Sequence, residues 1–383
     1  MPLFEESKEH NDFRKVVKKF IAKEITPHRE EWDKAGIVPR ELFLKMGKQG
    51  FLCPWLPEEY GGMDVDARYS LLIVNEELAW GDGFSVGAPL HSDVAAPYIF
   101  SYGTEELKKR VLPKAASGET ILAIGLTEPD AGSDLASIRT KAVKDGDYYI
   151  INGQKTFITN GINSDVIITA CKVESSTGKK GISMIAVDGD TPGLTRRKLH
   201  KMGQHAQDTA ELAFSDVRVP AGNLLGEEGM GFKYMMEKLA RERLEVCVKC
   251  QAMGELAFKE GLEYSKVREA FKKPIGNFQH NAFKLAEMAT DVEIGRNFLE
   301  TLVAEYVRGE SIDPKRVSMA KAYLGEMCNR VAYHAVQLHG GYGYMEEYRI
   351  SRIYQDVRAL SILAGTTEIM KLIIARSLGL DPQ

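Results

Sequence analysis

Residues 361–371 read SILAGTTEIMK. An apolar run breaks at Ala364-Gly365, two threonines follow, and apolar residues then resume at helical spacing. Glycine permits a tight turn, and a threonine at a helix start can satisfy free amide groups. The stretch reads as a turn aimed at a ligand, but the turn itself has no group able to do chemistry. The reactive side chain has to come from elsewhere in the chain.

Three other glycine-rich spots could face a ligand. GEEGMGF at 226–232 lacks the GxGxxG spacing after a strand, so a turn before a helix is favoured over a dinucleotide fingerprint. HGGYGYMEEY at 339–348 crowds three glycines between helical segments, which permits close backbone approach. TEPDAGSD at 127–134 gathers Thr, Asp, Ser and Gly at a strand end, and in isolation it reads as a turn with local side-chain bonds. Cys247 and Cys250 form a CxxC with no second Cys or His pair at metal spacing, so they are expected in the core of one helix face and no metal site is expected.

The elements that must position these spots follow from periodicity. From Glu6 to about Ser117 the spacing is helical; in FRKVVKKFIAKEI, Phe13, Val16, Val17, Phe20 and Ile21 form the expected apolar face. Between about Thr120 and Leu225, short apolar or alternating runs (YYIING, DVIITACKV, GISMIAVDG, AELAFSDVRVP) predict a compact antiparallel β domain. Helical spacing then returns almost to the end. The expectation is an α+β chain folded as one unit: an N-terminal helical domain (1–120), a middle β domain (121–230) and a C-terminal helical domain (231–383).

Composition narrows the classes. The chain has 383 residues, 44% of them hydrophobic, enough for more than one core. A net charge of -4 argues against nucleic acid as the main partner. The one basic cluster, Arg196-Arg197-Lys198 with Lys201, is expected to be solvated surface. No apolar run nears the ~20 residues of a membrane span, and MPLFEESKEHNDF lacks the features of a signal peptide. Five scattered cysteines fit a reducing compartment. A cytoplasmic location is expected, with a mature mitochondrial matrix form as the alternative.

Taken in order along the whole chain, GLTEPDAGSD, NGQKTFITNG, RRKLHKMGQHAQDTAEL, VREAFKKPIGNFQ and QLHGGYGYMEEYRISRIYQDVRALSILAGTTEIM resemble the acyl-CoA dehydrogenase family. The RKLHKMG and AQDTAEL phrases, Phe157, and the closing GTTEIMKLIIAR are most similar to its long-chain type. The resemblance implies a C-terminal four-helix bundle, FAD as cofactor, and α,β-desaturation of an acyl-CoA thioester to a trans-2-enoyl-CoA. That reaction needs a base for the α-proton and hydrogen-bond donors for the enolate oxygen, while the β-hydrogen leaves as hydride to flavin N5.

Many members of the family carry their catalytic glutamate in Tyr-Glu-Gly-Thr, where this chain reads Leu363-Ala364-Gly365-Thr366. The backbone donor can remain at Ala364, but the carboxylate is gone. Long-chain and isovaleryl-type members place the base on a neighbouring helix, in a sequence corresponding here to RERL, which makes Glu242 the implied base.

By the same resemblance, Leu126, Thr127, Phe157, Ile158 and Thr159 line the flavin ring, and Ser133 touches the pantetheine arm near the cofactor. Arg243 contacts the CoA side, Ala364 and Gly365 border the thioester, and Thr366 and Glu368 approach the flavin's phosphate and ribose. Arg268, Phe271, Gln279, Gln337, Gly340 and Gly341 match residues that reach the FAD of an adjacent subunit, which implies a homotetramer built as a dimer of dimers. The implied electron acceptor is electron-transfer flavoprotein. Medium-to-long or branched chains are the expected substrates. A short branched-chain (isovaleryl-type) dehydrogenase or a flavoprotein oxidase or monooxygenase on the same fold is the alternative; a retained base argues against the monooxygenase.

Overall fold

The computed structural model describes residues 6–174 and 180–382. The N-terminal region holds α1 (Lys8–Glu24), α2 (Arg29–Ala35), α3 (Arg40–Lys48), α4 (Asn75–Trp80), α5 (Ala96–Tyr102) and α6 (Glu105–Ser117). Ser7 caps α1 in a reciprocal arrangement with His10, and Thr104 caps α6. Two wider π-type stretches, Arg68–Val74 and Leu90–Ala95, lead into α4 and α5. Such widened turns recur at functional sites, and the second bears directly on the helix that meets Glu242. On α1, Val17 and Ile21 are buried and Phe13 and Phe20 pack beside them, but Val16 is 46% exposed. Positions 13, 17, 20 and 21 share one stripe at 100° per residue, and 16 falls at its solvent edge.

The middle strands are β1 (Leu122–Gly125), β2 (Lys141–Asp145), β3 (Tyr148–Thr159), β4 (Val166–Glu174), β5 (Lys180–Asp188), β6 (Leu194–Lys198), β7 (Thr209–Pro220) and β8 (Leu224–Leu225). Among the described residues they form one sheet in the order β6-β7-β3-β2-β4-β5-β8, with β1 also on β4. Most pairings are antiparallel, as expected, but β1 and β2 both run parallel to β4. Alternation in a single strand reports its buried face and carries no information about its neighbour's direction.

The basic cluster departs from the expected solvated surface. Arg196 is half-buried, and its guanidinium donates to the carbonyls of Ile162 (2.8 Å), Ser164 (2.9 Å) and Gly189 (2.7 Å). Lys201 is half-buried against Gln207. Arginine's fork of donors suits it to tying loop carbonyls together, a role that a local charge run does not reveal. Arg197 does stay at the surface, on Glu211.

The C-terminal region holds α7 (Gly231–Val267), a small hairpin of β9 (Glu269–Ala270) and β10 (Lys273–Pro274), α8 (Gln279–Val307), α9 (Pro314–His339), α10 (Arg349–Val357) and α11 (Thr367–Ser377). The 37-residue α7 is the central pillar, packed on α8, α9, α10, α4 and α5. It leaves the sheet at Gly231, where a Cβ would come within 2.8 Å of the Ile182 carbonyl, so only glycine lets the helix start that close to β5. Its middle is buried almost all round, including Cys247 and Cys250, because it is surrounded on every side. Among the described residues no helix is long and apolar enough to cross a membrane.

Candidate active site

Glu242 lies on the face of α7 turned toward the N-terminal helices and is 7% exposed. Tyr98 of α5, itself fully buried, donates its O–H to Glu242 Oε1 at 2.8 Å. Burial pushes the Glu242 carboxyl up to about 7, while Tyr98 and the nearby Arg243 charge partly offset that rise. Among the described residues Glu242 forms no salt bridge, although arginines flank it in sequence. The helix explains why, since successive residues point about 100° apart. Arg241 pairs with buried Asp93 at 3.1 Å and lies over the Trp55 ring, and Asp93 also accepts from Ser70. Arg243 turns the other way, toward Gly365. Glu242 is thus left with a raised basicity and no neutralising ion pair among the described residues.

On the far side of Arg243 lies the turn at 363–366. Ala364 has φ 53° and Gly365 φ 95°, two consecutive left-handed residues. For alanine this conformation costs on the order of 1 kcal/mol, and surrounding contacts must hold it. Lys321 of α9 is one such contact: it is fully buried and donates from Nζ to the Gly365 carbonyl at 2.5 Å. The Ala364 N–H has no acceptor among the described residues, so it is available to a ligand oxygen. Buried Arg243 is equally short of partners, with an unbonded Nε.

Thr366 caps α11, and Thr366, Thr367 and Glu368 border a cleft of about 350 Å3 shared with Gly325, Asn329, Arg358 and Ser361. The buried Thr367 hydroxyl has no hydrogen-bond partner among the described residues. An unsatisfied hydroxyl and a helix N-terminus beside an arginine fit an anionic, hydroxyl-bearing ligand arm.

The flavin-lining candidates come together on the sheet. Lys155 of β3 is fully buried and donates to Glu128 (2.7 Å) and to the Leu126 carbonyl (3.0 Å), while Glu128 accepts from the Thr140 amide (3.0 Å). The Thr156 amide bonds the Thr127 carbonyl at 2.9 Å, so 126–127 and 156–159 lie side by side. A register shift between Lys155 and Ile158 turns Phe157 out at φ 60°, leaving its ring 69% exposed. A bulge that presents a strained, exposed aromatic beside threonine hydroxyls is a wall that a planar ring system can lie against. Ile158 is in the sheet core, so it can offer only backbone groups, and Thr159 accepts from Gln207 Nε2. Ser133 is exposed at the turn held by Glu128.

The remaining six candidates are not part of this cluster. Arg268, Phe271, Gln279, Gln337, Gly340 and Gly341 are all exposed, and Tyr264 stacked on His339 at 4.1 Å places the end of α7 beside the end of α9. Along α7, 26 residues separate Glu242 from Arg268, a span of about 39 Å. Sequence reasoning missed Tyr98, Lys321 and the Glu128–Lys155 pair. Lys155 and Glu128 lie inside two motifs already singled out, so a buried pair between them could have been sought; Tyr98 and Lys321 had no local signal.

Profiles for the N-terminal, middle and C-terminal domains of acyl-CoA dehydrogenases match residues 7–119, 123–217 and 229–379. The long-chain specific acyl-CoA dehydrogenase of Sus scrofa is 46% identical over 375 residues, covering 97% of this chain and 87% of that protein. The isobutyryl-CoA dehydrogenase of Dictyostelium discoideum is 35% identical, covering 98% and 90%. The crystal structure of an acyl-CoA dehydrogenase from Geobacillus kaustophilus superposes with a TM-score of 0.94 at 54% identity, covering 98% and 99%. Domain order, fold and identity agree along nearly the full length, and the chain belongs to the acyl-CoA dehydrogenase family of FAD-dependent oxidoreductases acting on CH–CH bonds.

Proposed function

We propose that the chain desaturates medium-to-long or branched acyl-CoA thioesters, with Glu242 as general base. The observation that carries this reading is a buried carboxylate, without an ion pair among the described residues and raised to about 7, in a chain whose 364 position is alanine. Glu242 Oε2 takes the α-proton, and the Ala364 N–H donates to the thioester oxygen as enolate charge develops. Lys321 and Arg243 flank that turn and stabilise negative charge there. Bound FAD supplies the acceptor for the β-hydride at N5, and electron-transfer flavoprotein is the proposed acceptor after it. The small side chain at Ala364 leaves room beside the reacting carbons, which favours long or branched chains, in keeping with the long-chain and isobutyryl relatives.

The test is anaerobic stopped-flow reduction of the bound flavin with a series from butyryl- to palmitoyl-CoA plus isobutyryl-CoA. kcat/KM and reduction rate should peak beyond four carbons or on the branched substrate. A clear maximum at butyryl-CoA removes the substrate assignment. Glu242→Gln should keep FAD and lose about 10²–10⁴-fold in reduction rate; a variant as fast as wild type removes Glu242 as base.

A further inference from the structure

We propose that Tyr98 is the positioning residue of the base: its phenol fixes the Glu242 carboxylate by one oxygen and keeps it ionised near neutral pH. The inference rests on the reading of Glu242 as base. Tyr98 and Glu242 are 144 residues apart and meet only because α5 packs on α7. The phenol bonds Oε1 at 2.8 Å, and Oε2 has no hydrogen bond among the described residues. One oxygen is therefore anchored while the other remains free for the substrate. Tyr98 is fully buried, and burial beside a carboxylate holds its own proton firmly on the phenol, so it can only donate.

The surrounding charges leave this task to a neutral group. Lys238, Arg241, Arg243 and Glu245 of α7 all contribute field at Glu242, with Tyr98 facing it from α5. Arg241 is committed to Asp93 on the stretch before α5, Glu245 to Lys249 at 2.6 Å, and Arg243 lies beside Gly365. A direct ion pair would hold the carboxylate ionised but make it a feeble base. No donor at all would let burial protonate it. A single neutral hydrogen bond lies between these extremes, and it also fixes the side-chain rotamer. During turnover the α-proton ends on Oε2, the electron pair of the broken C–H bond enters the thioester, and the phenol proton stays on Tyr98.

The test is Tyr98→Phe, which keeps the ring. Against wild type, the acid limb of the flavin-reduction profile should move up by about 1–2 pH units, with the loss of rate largest below neutrality and small at pH 9 and the acyl-CoA Kd unchanged. A second readout needs no turnover: in infrared titration of the substrate-free protein, the carboxylic C=O band that Glu242→Gln abolishes should titrate at higher pH in Tyr98→Phe. An unmoved limb and band overturn the proposal while leaving the base assignment intact. Loss of bound FAD in Tyr98→Phe also overturns it, marking the phenol as a packing element. If Glu242→Gln is reduced at the wild-type rate, the base assignment fails and this role fails with it.

Discussion

On the proposed reading, Glu242 and Ala364 divide between them what many relatives hold in one residue. Their separation makes a relocation testable: Ala364→Glu added to Glu242→Gln should recover part of the flavin-reduction rate, with preference shifted to shorter, unbranched chains because the new side chain fills space beside the thioester. A double variant as slow as Glu242→Gln on every chain length would refute it. The buried Glu242 carboxyl also has a stability signature. Its folded-state value, about 7, lies above the ordinary 4.5, so its contribution to stability is fully present below about 4.5 and is lost as pH rises through 7. Glutamine carries no such penalty and can still accept from Tyr98. Glu242→Gln should therefore melt with wild type at pH 4.5 but above it at pH 8.5, by an increment on the order of 2–3 kcal/mol. Thermal melts at the two pH values check the sign; an equal gap at both would show that the carboxylate is not held out of water.

At the scale of elements, α7 and α9 supply the rigid frame and the 363–366 turn is the part they hold. Lys321 is the tie, a buried charge whose one hydrogen bond among the described residues is to the Gly365 carbonyl. Replacing it with methionine removes a charge that burial disfavours but leaves that carbonyl unbonded, two effects of similar size and opposite sign. Lys321→Met should keep a melting point near that of wild type and an unchanged acyl-CoA Kd, while flavin reduction slows about 10–10²-fold because the Ala364 donor is no longer held in place. A lower melting point with unaltered reduction would make Lys321 a prop for the fold alone. The Glu128–Lys155 pair has the same relation to the ring wall, tying the 126–128 turn to the bulge that exposes Phe157.

At the scale of the molecule, Arg268 at the far end of α7 lies about 39 Å along the helix from Glu242, too far to serve its site within one chain. Phe271 is 91% exposed with φ 51°, a strained aromatic in water that packing against a second chain would account for. We expect the protein to elute as a yellow oligomer, and Phe271→Asp to shift it toward smaller species that release FAD. Size-exclusion chromatography with absorbance in the flavin bands decides this; a wild-type monomer that retains its FAD would refute the shared site.

Periodicity alone set the helical, β and helical succession, because side-chain burial repeats at 3.6 or 2 residues whatever the partner is. The absence of a carboxylate at 364 and its presence at 242 were likewise legible, since they are matters of residue identity within ordered motifs. Strand direction was not, as β1 and β2 run parallel to β4 through connections that no local pattern encodes. Arg196 looked like a surface charge for the same reason: its carbonyl partners lie some 7 to 35 residues away in sequence. Only the packing of α5 on α7 gave Glu242 its phenol, and only that of α9 on the 363–366 turn gave Gly365 its lysine. A buried polar group is defined by what surrounds it, and here the surroundings come from segments 144 and 44 residues distant, a relation that exists only after the chain has folded.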